Sequence, residues 1–146
     1  MSSVREIVLP VTLEHDLRSG DADNMLVIDG GNHSLEFDPI ITPDEKGRML
    51  HTITLQLTGN ASSGVFMPIV DPQYPAFTWL VRTPRAIMLD MREKEIRLVN
   101  HHHGRETRGH WYYQLFARFG TTFYGVPLIF SAGGGGNTQN PSIKNR

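Results

Sequence analysis

The residues best equipped for chemistry are histidines. The run Asn100-His101-His102-His103-Gly104 is followed closely by His110. Imidazole is the commonest protein ligand for zinc, copper and nickel. In an extended run His101 and His103 point the same way and can chelate one ion. His110, beyond the polar turn from Gly104 to Gly109, would face them from the next strand. Three histidines with one open position form the pattern of catalytic zinc. His101, His103 and His110 are therefore the candidate ligands, with zinc or copper as the candidate ion. The competing reading is a solvated turn rich in Asn, His, Gly and Arg. The chain has no cysteine, which excludes disulfides, thiolate zinc, iron–sulfur clusters, a cysteine nucleophile and a blue-copper site.

Aromatic residues offer a second chemistry. Trp79, Tyr112, Phe116 and Tyr124, with Arg118 close by, can stack on sugars or bases if they are exposed. They can equally form a contact with another subunit, and these five are the candidate ligand or interface residues. Other constellations fail. There is no Gly-x-Ser-x-Gly elbow, and nothing places a base beside Ser62 or Ser63. Asp21 to Asp23, Asp44-Glu45 and Asp90 to Glu95 read as solvated loop acids rather than a catalytic pair. Gly133 to Gly136 lacks the Lys-Ser/Thr of a phosphate loop and reads as a flexible linker.

The elements that must carry these residues are strands. Ile7, Leu9, Val11 and Leu13 alternate, and Pro10 on the opposite parity predicts an edge strand. Met25 to Ile28 is a short strand closed by Asp29-Gly30-Gly31. Leu35 and Phe37 belong to another. In Leu50 to Thr58, Ile53, Leu55 and Leu57 face one way and Thr52, Thr54 and Gln56 the other. Phe77, Trp79 and Val81 alternate. Ile87, Leu89 and Met91 also alternate, and Ile96 and Leu98 extend their rhythm. Trp111, Tyr113, Leu115, Ala117 and Phe119 share one face of a long strand, while Tyr112, Gln114, Phe116 and Arg118 share the other. Phe123 to Phe130 returns as its hairpin partner. The tail from Asn140 to Arg146 is expected to add a last edge strand. Short strands at this spacing, with no convincing helix, predict an all-β Greek-key sandwich. The expected organisation is a single domain over residues 1–146, with a linker at 133–136 and a tail at 137–146.

Net charge is −1 over 146 residues, but it is polarised. Met1 to Leu50 holds ten acids and four bases, and Arg82 to Arg146 holds ten bases and four acids. Such asymmetry marks a nucleic-acid face or a self-complementary surface, unless folding interleaves the segments. No apolar run reaches the length of a membrane helix. The N-terminus has no signal-peptide pattern, and the absence of cysteine fits a reducing cytoplasm.

The last third of the chain has a distinctive layout. A charged strand (Glu95 to Val99), a polar turn, the strand Trp111-Tyr112-Tyr113-Gln114-Leu115 and Tyr124 lead to Asn140-Pro141-Ser142-Ile143-Lys144-Asn145. This resembles the ending of the small bacterial β-sandwich proteins of the DP-EP family, whose chains finish in an Asp-Pro-x-Ile-x-Asn type of segment. Asn140 stands where that pattern has Asp. The layout is more distantly similar to inclusion-body proteins of the AidA and PixA type. The resemblance implies an immunoglobulin-like or cupredoxin-like sandwich and carries over no catalytic residue. A non-enzymatic binding or self-assembly module, forming a homo-oligomer, is the leading expectation. The alternatives are a metal-binding protein and a carbohydrate- or nucleic-acid-binding module.

Overall fold

In the computed structural model, which describes residues 3–17, 24–66, 73–126 and 140–146, the alternating runs become eleven strands. They are β1 (Glu6–Leu13), β2 (Leu26–Ile28), β3 (Ser34–Phe37), β4 (His51–Leu57), β5 (Val65–Phe66), β6 (Phe77–Leu80), β7 (Ile87–Met91), β8 (Glu95–Asn100), β9 (Gly109–Phe119), β10 (Thr122–Gly125) and β11 (Ser142–Asn145). Helical structure among the described residues is limited to three single 3-10 turns. The fold is the expected all-β sandwich. One sheet has five strands in the order β2-β1-β4-β8-β7. The other has six, ordered β10-β9-β11-β3, with β5 and β6 also on β9. Each sheet contains one parallel pair, β1 with β4 and β3 with β11. Leu9, Val11, Ile53, Leu55, Ile96 and Leu98 from the first sheet meet Phe37, Phe77, Tyr113, Leu115 and Ile143 from the second in one core.

β9 organises the six-stranded sheet because both its edges are used. The Tyr113 amide donates to the Pro141 carbonyl (3.0 Å), and the Leu115 carbonyl accepts from Val126 (3.2 Å). Odd positions of β9 therefore serve β11 and then β10. The Phe116 amide donates to Ala76 (3.2 Å), so even positions serve β6 and β5. An eleven-residue strand thus recruits four short partners, two along each edge.

Three sequence expectations change. β1 is not an edge strand; it lies between β2 and β4. Thr52 donates to the Arg5 carbonyl and Thr58 to that of Val11 (both 3.0 Å). Odd positions of β1 thus bond β4, and Pro10, with no N–H to give, faces the other way. β2 pairs only as far as Val11 with Ile28, so no ladder bond is lost at Pro10. Likewise β11 is interior, between β9 and β3, because its two flanks satisfy both. Finally, the rhythm from Ile87 to Leu98 conceals a hairpin. Arg92 and Glu95 close a turn (2.9 Å), and Ile87 then pairs with Asn100. The expected linker at 133–136 and the start of the tail lie outside the described residues.

The charge polarity is resolved within the chain. β3 and β11 are neighbours, so Glu36 pairs with Arg146 and approaches Lys144 (4.0 Å), while Asp38 lies 3.7 Å from Arg146. Arg48 pairs with Asp44 and Glu6 (2.7 and 2.5 Å) within the acidic segment itself. Interleaving has mixed acid and base.

The two sheets are tied at one end by buried amides. Asn100 of β8 donates to Asn145 Oδ1 (2.8 Å), and Asn145 of β11 donates back to Asn100 Oδ1 (3.1 Å) and to the Thr107 carbonyl (2.9 Å). Both side chains are buried. A buried amide left unpaired costs about 1–3 kcal/mol. Asn145→Ala strips both partners at once, so it should destabilise the fold by about 1–3 kcal/mol or somewhat more, read as a lower urea midpoint with unchanged slope. A midpoint equal to that of the unmodified protein would show the pair to be dispensable.

Candidate functional site

The inward alternation of β8 runs past its end. Ile96, Leu98, Asn100 and His102 are all buried, while Val99 and His101 are half-buried and His103 is exposed. The histidine run is therefore split by parity. His101 and His103 share the outer side, with ring centroids 6.2 Å apart, as expected for an extended run. His110 lies elsewhere, tilted against Tyr112 (4.6 Å) with Nε2 3.0 Å from Ser142 Oγ. Among the described residues, no group of three or more His, Asp or Glu side chains could hold a metal ion. The turn between the two sites explains this. Thr107 folds it back on itself, accepting from the amides of His103 (3.1 Å) and Gly104 (3.3 Å).

The histidines that the fold does bring together are His51 and His102, which the sequence reading did not single out. His51 Nδ1 accepts from the Arg5 amide (3.1 Å), which leaves Nε2–H to donate to the Asp38 carbonyl (3.0 Å). Its ring lies 4.7 Å from that of Phe37. His102 Nε2–H donates to the Arg146 carbonyl (2.8 Å), and Nδ1 accepts from the Thr107 hydroxyl (2.7 Å). Both rings are thereby assigned as neutral Nε2–H tautomers from their partners. With the Asn100–Asn145 pair they form a buried polar seam between the sheets. Burial holds both imidazoles below their usual range; His102 adds to the depression of His51, and the neighbouring His103 to that of His102. The signal available in the sequence was parity: His51 continues the inward set of Ile53 and Leu55, and His102 that of Leu98.

The aromatic candidates separate by face. Trp79 and Tyr124 point inward. Trp79 packs edge-on against Phe77 (4.8 Å) and Tyr113 (5.9 Å), and Tyr124 is buried beside Phe119 (5.6 Å). Parity again explains it, since Trp79 is in register with Tyr113 and Tyr124 with Ala117. Tyr112, Phe116 and Arg118 occupy the outer face of the six-stranded sheet. There Phe116 meets Tyr74 edge-on (5.4 Å), and Tyr74 stacks on Phe123 (4.4 Å, 11° between planes). The Phe116 ring lies over Gly125, where a Cβ would stand 2.6 Å from it. Tyr74 and Tyr112 each keep 37% of their surface exposed.

One strained residue borders this face. Val81 follows β6 with φ of +70° and is fully exposed. The Arg82 amide donates back to the Leu80 carbonyl (2.8 Å), closing a γ-turn that is costly for a β-branched residue. Arg82 then reaches the His110 carbonyl (3.1 Å) and lies over the Trp111 ring (5.8 Å), which holds the turn in place.

The seam has a pH signature. A histidine held neutral by burial takes up its proton more readily when unfolded, so the unfolded state binds more protons below the ordinary imidazole value of about 6.5. Stability is complete above that value and falls as pH drops below it. His33 and His110 are depressed by burial as well and add to the slope. Thermal melts should therefore show a falling midpoint below about pH 6.5, and His102→Gln, which keeps an N–H donor but does not titrate, should flatten it in part. An unchanged slope in that variant would remove His102 from the effect.

No known family model, curated protein or solved structure matches this chain.

Proposed function

We propose that the protein is a non-enzymatic binding module that self-assembles, in a reducing cytoplasm, through the outer face of its six-stranded sheet. One observation carries the reading. Among the described residues, Tyr74 and Tyr112 still expose 37% of their surface on that face. A sheet face turned to water is normally polar. The outer positions of β4 follow that rule with Thr52, Thr54 and Gln56, whereas those of β9 hold Tyr112 and Phe116. Val81, exposed in a strained turn next to Leu80, which pairs with Tyr112, extends the apolar area. Strain at a solvent-facing β-branched residue is offset where the side chain is covered.

A second copy is the favoured occupant, because most oligomers are symmetric and use one patch on both partners. The ion pairs between β3 and β11 are satisfied internally, so contact rests on rings rather than on the chain's charge polarity. The DP-EP-like ending at 140–145 supports the same class of function, since that layout brings no catalytic residue with it. A second reading, capture of a carbohydrate or nucleic acid, is favoured by Arg118, exposed on the same face and in register with Phe123.

Sedimentation at tens of micromolar separates the two. The unmodified protein should run at twice the monomer mass, and Tyr112→Ser should return it to monomer with its melting midpoint retained. Val81→Gly should hold or raise stability, because glycine accepts positive φ freely, while weakening the dimer. A monomeric unmodified protein would defeat assembly and leave the face to a ligand.

A further inference from the structure

The opposite outer face, on the five-stranded sheet, carries a groove of about 450 Å³. Its origin is a difference in side-chain length. β4 runs between β1 and β8, and its outward residues Thr52 and Thr54 are short. Their register partners are long or branched: Glu6 and Val99 flank Thr52, and Val8 and Arg97 flank Thr54. The result is a valley with a threonine floor. Arg48 and Leu50, just before β4, border one end.

The chemistry along this valley is graded. At the end bordered by residues 48–50, Arg48 is committed to Asp44 and Glu6, and its charge is met. The apolar lining is Leu50 at that end, Val99 beside Thr52 and Val8 (62% exposed) beside Thr54. At the far end, Arg97 is exposed and makes no hydrogen bond or ion pair among the described residues. Asp90, its register partner on β7, turns instead to Arg92 (3.5 Å). The hydroxyls of Thr52 and Thr54 are likewise without a partner among the described residues. Arg97 and Thr54 are directly opposed across the β4–β8 ladder and both line the groove, so a guanidinium and a hydroxyl are carried side by side at this end of the floor.

We propose that this groove binds a small amphipathic monocarboxylate. Its carboxylate accepts two N–H bonds from Arg97 and one O–H bond from Thr54. Its apolar chain lies along the floor between Val8 and Val99 toward Leu50. The planar fork of arginine matches a carboxylate in bidentate fashion. The volume falls within the range of ordinary small-molecule sites, which pair mainly apolar walls with a few fixed polar groups. A cation is disfavoured at Arg97, and a neutral alcohol leaves the guanidinium half-used.

Octanoate is the probe, with acetate, octylamine and octanol as controls, followed by amide chemical-shift titration of the full chain. Octanoate should shift amides of β1, β4 and β8 saturably. Acetate, lacking the chain, and octylamine and octanol, lacking the anion, should each bind about tenfold more weakly or worse. Arg97→Gln should lower octanoate affinity about tenfold or more, and Thr54→Val should lower it less. Both variants must keep the unmodified protein's dispersed amide spectrum, and Tyr112→Ser on the other sheet must leave the affinity unchanged. Equal binding of octylamine, unchanged affinity in Arg97→Gln, or shifts confined to the six-stranded sheet would each overturn the assignment. So would dissociation of a dimer by Arg97→Gln, which would make the groove's occupant a second copy.

Discussion

The structure depends on a polar seam in a place where most sandwiches are apolar. Asn100 and Asn145 exchange amide hydrogen bonds across the sheets, and His51 and His102 fix the backbone on either side of them. This arrangement supplies directionality that a hydrophobic contact lacks. An apolar core tolerates sliding, whereas a reciprocal amide pair closes in one register only. The register matters because β11, the last strand in the chain, must enter between β9 and β3. β3 lies more than a hundred residues upstream of it. Local hydrophobicity cannot specify so distant a pairing by itself. The carbonyls of Asp38 and Arg146, which follow β3 and β11, are both held by histidine N–H groups, so the two parallel strands are gripped just beyond the point where their ladder ends.

β9 is the other half of that constraint. β9 has strand partners along both edges, and its inward side chains fill the core from Trp111 to Phe119. Its outward side chains are therefore the part left free to vary without cost to the fold. Tyr112 and Phe116 occupy just those positions. Phe116 is drawn down over Gly125 and covered by Tyr74, so the chain shields part of its own aromatic face. Tyr112 has the His110 ring beside it, is flanked in register by Leu80 and Ser142, and stays 37% exposed. The face thus grades from a packed aromatic cluster at one end to an open ring at the other, and contact with a partner would fall at the open end.

Alternation made most of the sandwich legible. Positions such as Ile53, Leu55 and Leu57, or Trp111 to Phe119, declare their inward face by a period of two, and the structure keeps these, whereas Val81, which alternates with Phe77 and Trp79, lies beyond the end of β6 and is fully exposed. What alternation could not show was neighbourhood. Pro10 signalled a missing donor, but only the short extent of β2 reveals that an interior strand can absorb it. The hairpin at Arg92 to Glu95 preserved the apolar rhythm on both sides and so left no trace in the pattern. The histidine run shows the same limit. Its parity correctly set His101 and His103 apart from His102, yet value was attached to the exposed pair. The buried one proved to be part of the framework, because its partners, Thr107 and the Arg146 carbonyl, are remote or hidden in sequence. The groove was invisible for a different reason. It arises from side-chain lengths on three adjacent strands whose order no local signal encodes.

The two outer faces together constrain what kind of protein this is. An isolated structural sandwich has no need of two differentiated surfaces. Here the five-stranded sheet presents threonines and Arg97, and the six-stranded sheet presents rings. Such surfaces differ in chemistry: the first is lined by hydroxyls, valines and arginines, the second by aromatic rings. They are joined through the seam, since Asn100 belongs to β8, which carries Arg97, and Asn145 to β11, which pairs with the β9 segment that carries Tyr112. A ligand at Arg97 and a contact at Tyr112 therefore act on strands locked by the same amide pair. A pair that closes in one register holds both strands where they are, so the outward side chains of β8 and of β9 can differ without disturbing each other.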